Sequence, residues 1–147
     1  MHRELITFEV EGQLFGIDIM AIREIRAWTP VTRLPRVPHY VAGVVNLRGT
    51  VLPVVDLAAR LGWRATEATP RHAIIVVQIQ GQARGFIVDS VSDIVTLAEN
   101  ALQPPPATSD TAIVPFLEGL AAIEDRMVMV LNLGALNAAA EETALAA

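Results

Sequence analysis

The chain carries a strand-rich unit twice, and that duplication constrains its fold more than any single motif. Gly12-Gln13 recurs as Gly81-Gln82. At the same offset of 69 positions Gly16 falls on Gly85, Ile19 on Val88, Ile22 on Val91, Glu24 on Asp93 and Ile25 on Ile94, and Leu34-Pro35 meets Gln103-Pro104. Further on the offset becomes 76: Gly43 matches Gly119, Leu47 matches Ile123, Val54-Val55 matches Val130-Leu131, and Asp56-Leu57 matches Asn132-Leu133. The second copy therefore has seven extra residues, placed in the Pro-rich, polar stretch from Pro104 to Val114. A strand-rich repeat of about 65 residues predicts two similar small barrels or sandwiches. Neither copy buries much core alone, so the two are expected to pack on each other. The polar stretch Arg64 to Arg71 joins them and is too short for a long flexible linker.

Local patterning agrees. Leu5 to Val10 alternates, with Ile6, Phe8 and Val10 on one face and Thr7 and Glu9 on the other. Gly12-Gln13 turns it into Leu14–Ile17, and Ile74–Ile79, Phe86–Val88 and Met127–Leu131 are further short strands. Asn46-Leu47-Arg48-Gly49-Thr50 lies between two apolar runs and predicts a tight hairpin with Arg48 at its tip. Asp56 is placed as the N-cap of a short helix from Leu57 to Leu61, closed by Gly62. A second helix is expected after Asn132, with Leu133, Leu136 and Ala140 at helical spacing, running into an Ala-rich tail that frays.

Composition removes most chemistry. Of 147 residues 52% are hydrophobic, enough for a core, and none is Cys, which excludes disulfides, thiolate metal sites and Cys nucleophiles. All eleven cationic side chains are Arg, so no P-loop or Schiff-base lysine exists. No apolar run approaches the roughly 20 residues that span a bilayer, and no signal-peptide pattern follows Met1, so a soluble cytoplasmic protein is expected. The net charge of −5 disfavours nucleic acid and anionic membrane as partners. His2, His39 and His72 are not at metal-ligand spacing, and no GxSxG motif is present. No catalytic residue, metal or cofactor is therefore assigned. Asp18, Asp56 and Asp89 each lie where a strand gives way to a turn or helix, which reads as backbone capping. A small hydrolase using Asp56 and Asp89 is the alternative from another functional class, and a nucleic-acid-binding barrel lacks the basic face it would need.

Several groups remain that a small core does not require: Glu24 between Ile22 and Ile25, the stiff Pro35-Arg36-Val37-Pro38 link, and Arg48. Their joint order, in the stretches Phe15–Ile25, Leu34–Pro38, Gly43–Leu57, Gly85–Ile94 and Gly119–Leu133, resembles the CheW family of chemotaxis coupling proteins over nearly the whole chain. Asp93 and Asn132 stand where that family usually has Glu and Asp. The resemblance implies an all-β fold of two pseudo-symmetric, five-stranded SH3-like β-barrels packed together, with short helices. The first barrel is placed at approximately 5–63, the second at 72–133 and a C-terminal helical tail at 134–147, with terminal strands free to cross between barrels. It implies no catalysis. It implies an adaptor, at receptor arrays on the inner face of the membrane and held there only through receptors. The adaptor joins the cytoplasmic tip of methyl-accepting chemoreceptors to the regulatory domain of a chemotaxis histidine kinase. A non-chemotaxis chemosensory array is the alternative within the same class. By motif match the receptor hairpin lies in a groove between the barrels. Ile22 and Ile25 supply apolar contact, Glu24 and Arg48 supply charge as a pair across the groove, and Asn46, Leu47 and Gly49 of the hairpin complete the receptor-binding set. Asp93, Ile94, Val95, Leu97 and the turn Glu124-Asp125-Arg126 form the candidate kinase face.

Overall fold

The computed structural model describes residues 3–98, 100–105 and 113–136. Ten strands form two five-stranded sheets. They are β1 (Arg3–Val10), β2 (Gln13–Asp18), β3 (Ile22–Ala27), β4 (Val41–Leu47), β5 (Thr50–Asp56), β6 (Ala73–Ile79), β7 (Gln82–Val88), β8 (Ser90–Leu97), β9 (Leu117–Ile123) and β10 (Arg126–Leu131). Among the described residues, helix is confined to α1 (Leu57–Arg60), 3-10 turns at Ile19–Ala21 and Val114–Phe116, and helical residues 133–136. The rest of the anticipated C-terminal helix, including Ala140, lies outside the described residues.

The sheets do not follow the halves of the sequence. The first sheet runs β8-β1-β2-β10-β9 and the second β3-β6-β7-β5-β4. Each copy of the repeat thus gives its first two strands to one sheet and its last three to the other. Set against the approximate placements 5–63 and 72–133 with terminal strands free to cross, the chain passes from one sheet to the other at residues 18–22 and 88–90. The physical reason is the apolar character of the two leading hairpins. β1–β2 and β6–β7 are buried on both faces, so each must be covered by a sheet of its own and by the other hairpin. Phe8, Val10, Phe15 and Ile17 from one hairpin and Ile75, Val77, Ile79, Phe86 and Val88 from the other share the core between the sheets. Leu5, Val95, Leu97, Ala121, Val128 and Val130 fill the first sheet, and Val45, Leu52, Val54, Ile74, Val76 and Ile87 fill the second. Thr7, on the face opposite Phe8, is therefore fully buried. It lies at a bulge between β1 and β8, where its hydroxyl donates to the Asp93 carbonyl and accepts from the Asp93 N–H, both at 3.1 Å.

All four two-residue hairpin loops are duplicated by the repeat. Glu11-Gly12 and Gln80-Gly81 match, as do Arg48-Gly49 and Glu124-Asp125, and every one of these residues has positive φ. That backbone matches the right-handed twist of the strands it joins.

Both sheets curl so that their edge strands approach. The chain leaving β3 bridges from Thr32 to Val44 of β4, and the chain leaving β8 bridges from Gln103 to Leu120 of β9. The residues beside these bridges are the repeat-related Gly43 and Gly119. A Cβ at Gly43 would come 2.1 Å from the Thr32 carbonyl oxygen, and one at Gly119 would come 2.5 Å from that of Gln103. A Cβ at Gly12 meets nothing within 4 Å. Gly43→Ala is therefore expected to cost about 3 kcal/mol or more, by pushing backbone from backbone, while Gly12→Ala costs only the left-handed strain of about 1–2 kcal/mol. Urea unfolding of the two variants checks the order.

Candidate functional site

β3 is an edge strand, and a bulge decides which of its residues share a face. Ile22 pairs with Val77, but the next pairing is Glu24 with Val76, so Arg23 is the extra residue. Without it, residues three apart would point to opposite faces. With it, Ile22 and Ile25 lie on the face of Val77 and Ile75, which belong to the core between the sheets. Glu24 and Arg26 lie on the face of Val76 and Ile74, over the core of the second sheet. Ile22 packs against the inter-sheet core, whereas Ile25 is 41% exposed.

Glu24 and Arg48 touch: Arg48 Nη2 donates to Glu24 Oε1 at 3.0 Å, and Arg26 Nη1 lies 3.6 Å from Glu24 Oε2. The pair does not span a groove between the sheets. It joins β3 to the β4–β5 hairpin within the second sheet, because the sheet's curl brings these opposite edges together. The two side chains line a recess of about 220 Å³ with Arg23, Leu47, Leu52 and Val76, over the open end of that sheet's core. The hairpin is pre-shaped by Asn46, whose Oδ1 accepts the Gly49 N–H at 2.8 Å. Leu47 packs against the second sheet's core, so it supports the hairpin more than it faces outward. Because β3 is an edge, a partner lying along it reaches Ile25 on one face and the Glu24–Arg48 pair on the other.

The repeat places an equivalent edge on β8. Ile94, the mate of Ile25, is 51% exposed, and Asp93 takes the place of Glu24. Glu124-Asp125 stands where Arg48-Gly49 stands, so this edge has acid at both positions. Val95 and Leu97 are corrected as contact residues. They are 7% and 3% exposed and fill the core of the first sheet, because strand alternation turns them inward beside the exposed Ile94 and Thr96. Asp93, Ile94 and the exposed turn Glu124-Asp125-Arg126 remain on the surface.

Sequence alone missed some exposed apolar residues. Met20, in the turn that carries the chain into β3, is 89% exposed. Val51 and Met127, mates at offset 76, are 68% and 57% exposed. In a short apolar run nothing distinguishes such a residue from core, although their recurrence at the repeat offset is a usable signal.

The acids considered for catalysis hold backbone instead. Asp56 is 7% exposed. Its Oδ1 accepts from the Ala59 N–H at 3.5 Å and from the Thr66 hydroxyl at 2.7 Å, and its Oδ2 accepts from the Thr66 N–H at 2.7 Å. It caps α1 and ties down the connection between the copies. Asn132 repeats the cap, accepting from the Ala135 N–H at 3.1 Å. Asp89 Oδ2 accepts the Glu11 N–H at 2.8 Å across the two sheets. Asp18 caps the turn before β3 and also meets Arg3, whose guanidinium bonds Glu118 at 3.0 Å. Burial opposes the Arg3 charge, but Glu118 and Asp18 outweigh it and hold its pKa above the ordinary value. Among the described residues no group of three or more His, Cys, Asp and Glu could hold a metal, and no helix is long and apolar enough to cross a membrane.

Comparison with known proteins agrees with this architecture. Residues 4–141 match the CheW-like domain. The chain is 50% identical to a chemotaxis protein CheW of Rhizobium meliloti, over 89% of this chain and 84% of the relative. It is 46% identical to a probable chemotaxis protein CheW of Rhizobium etli, over 97% and 92%. The crystal structure of the scaffolding protein TtCheW from Thermoanaerobacter tengcongensis superposes with a TM-score of 0.83 at 34% identity, covering 92% of this chain and 88% of that one. The chain belongs to the CheW family, whose members are non-enzymatic scaffolds of chemotaxis signalling.

The two kinds of polar residue at these sites should separate on stability. The Arg48 side chain is 72% exposed, so Arg48→Ala should change unfolding free energy by no more than about 1 kcal/mol. Asp56→Ala loses a cap and leaves the Thr66 donors without an acceptor, at about 2–4 kcal/mol. Urea denaturation of both variants measures the difference.

Proposed function

We propose that this chain couples the cytoplasmic tips of methyl-accepting chemoreceptors to the regulatory domain of a chemotaxis histidine kinase, and that it works at receptor arrays on the inner face of the membrane. The observation that carries the receptor half is the β3 edge, where an exposed isoleucine and an ion pair on a rigid hairpin flank one accessible strand. Ile22 and Ile25 supply the apolar contact to a helical hairpin. Glu24 and Arg48 supply register, and a planar guanidinium already bonded on one side keeps further donors for a partner. The β8 edge, with Ile94 and acid on both flanks, is chemically unlike the β3 edge and serves the kinase. An ion pair on one edge and acid on both flanks of the other let one fold hold two partners without exchanging them. Membrane association then comes only through the receptors.

Ile25→Ala should weaken binding of a soluble receptor hairpin about fivefold, the burial of the exposed part of one isoleucine being worth ~1 kcal/mol, with little change between low and high salt. Glu24→Ala should weaken binding more at low salt than at high salt, because screening already removes part of a charge effect. Reversing both charges, with Glu24→Arg and Arg48→Glu, should restore part of the binding lost by either reversal alone. Titration at two ionic strengths checks these outcomes, and wild-type binding by Ile25→Ala would move the receptor site elsewhere. Asp93→Ala with Ile94→Ala should weaken binding to the isolated kinase regulatory domain and leave hairpin binding unchanged. Kinase crosslinks confined to the second sheet would contradict the β8 assignment.

A further inference from the structure

Among the described residues, the Arg60 cation is held by aromatic rings with no hydrogen-bond acceptor or carboxylate beside it. The Arg60 guanidinium lies 4.6 Å from the Tyr40 ring centroid and 4.3 Å from that of Phe116. Its Nε is buried with no hydrogen-bond partner. Among the described residues no carboxylate pairs with its guanidinium. Burial lowers the Arg60 pKa, and Tyr40 opposes that shift.

The two rings are mates at the repeat offset of 76. Their backbones do the same work: the Tyr40 carbonyl accepts the N–H of the cap Asp56 at 2.8 Å, and the Phe116 carbonyl accepts that of the cap Asn132 at 2.7 Å. Tyr40 precedes β4 of the second sheet, and Phe116 precedes β9 of the first. Arg60 therefore spans the seam between the sheets at a point where the repeat brings two equivalent rings together. Its own mate is Leu136, 1% exposed in the inter-sheet core. The repeat calls for an apolar side chain here, and the chain has a cation instead. Among cationic side chains, arginine has a planar head that stacks on aromatic faces and a stem long enough to carry it along apolar surface.

We propose that Arg60 is a positioning residue for receptor recognition: by bridging Tyr40 and Phe116 it sets the spacing of the two sheets, and thereby the shape of the inter-sheet margin where Ile22 and Ile25 meet the receptor. This rests on the receptor reading above, so the test has one arm independent of it. The chain has no cysteine, so single cysteines placed at the exposed Thr50 and Thr96 give one spin-label pair across the two sheets. Pulsed electron resonance then reads the inter-sheet distance directly. Arg60→Leu copies the mate but is too short to reach both rings. It should shift or broaden the distance distribution and weaken receptor-hairpin binding about tenfold, between the values of an exposed and a desolvated cation–π contact. Arg60→Lys keeps a cation and should recover part of both. Phe116→Leu, which removes one ring and leaves Arg60 in place, should reproduce the altered distribution and covers the case in which Arg60→Leu does not fold. A wild-type distance distribution in folded Arg60→Leu or Phe116→Leu overturns the proposal. So does an altered distribution with undiminished receptor binding, provided Ile25→Ala binds weakly. If Ile25→Ala binds like wild type, the receptor reading itself has failed, and the distance measurement alone decides whether Arg60 sets the spacing.

Discussion

The packing of one leading hairpin on the other, β1–β2 against β6–β7, is the interaction on which the rest of the molecule depends. Phe8 and Phe15 stack at 5.9 Å on one side of this seam, and Ile75, Val77 and Phe86 face it from the other. Burying a hairpin on both faces requires a second cover, and each hairpin finds it in the three trailing strands of the other copy. Strand exchange follows: a hairpin cannot stay with its own trailing strands and also complete the opposite sheet. The two halves are therefore mutually dependent, because each sheet is completed by strands of both copies.

Duplication also explains how a chain this short carries two different surfaces. The repeat copies backbone features faithfully. Paired hairpins with left-handed loops, paired bridges beside Gly43 and Gly119, paired caps at Asp56 and Asn132, and paired bulges on β3 and β8 all recur. Side chains at equivalent surface points have diverged. Glu24 and Arg48 form an ion pair, whereas their mates Asp93 and Glu124 are both acids. Arg60 bridges two rings, whereas its mate Leu136 fills a core. Backbone geometry is constrained by hydrogen bonding and close approach, and so tolerates little change. Exposed charges contribute little to folding and are free to take on different partners.

Scaffolding suits this division. A protein that performs no chemistry needs no perturbed acid or base. The carboxylates here act as caps and tethers, with Asp56 binding the connection between the copies to α1 and Asp89 binding β7 to the β1–β2 loop across the seam. What the fold supplies is two exposed strand edges, β3 on one sheet and β8 on the other. The ion pair between β3 and the β4–β5 hairpin stands where the curled sheet brings its two margins together.

The repeat, the hairpin loops, the cap at Asp56 and strands such as β1, β2, β6, β7 and β10 were legible in the sequence, because turn chemistry, capping and apolar alternation act over a few residues and leave local marks, whereas β3, β8 and β9 were not singled out as strands. The family resemblance reached further, to the scaffold class, and it singled out Glu24 and Arg48, which the structure brings into contact. Which strands pair was not legible. The two copies offer equivalent partners, and the choice between them rests on burying both faces of the leading hairpins, which no local pattern records. The same holds for the faces of β3: a bulge at Arg23 puts Ile22 and Ile25 together and Glu24 opposite, and nothing in the order Ile-Arg-Glu-Ile announces it. Val95 and Leu97 looked like surface from their motif and proved to be core, since inward or outward direction belongs to the sheet and not to the residue. The sequence by itself determined the elements, their duplication and the chemistry at their tips. Only the tertiary structure decided which elements share a sheet and which side chains face outward, because those follow from long-range burial that becomes defined once both copies have folded together.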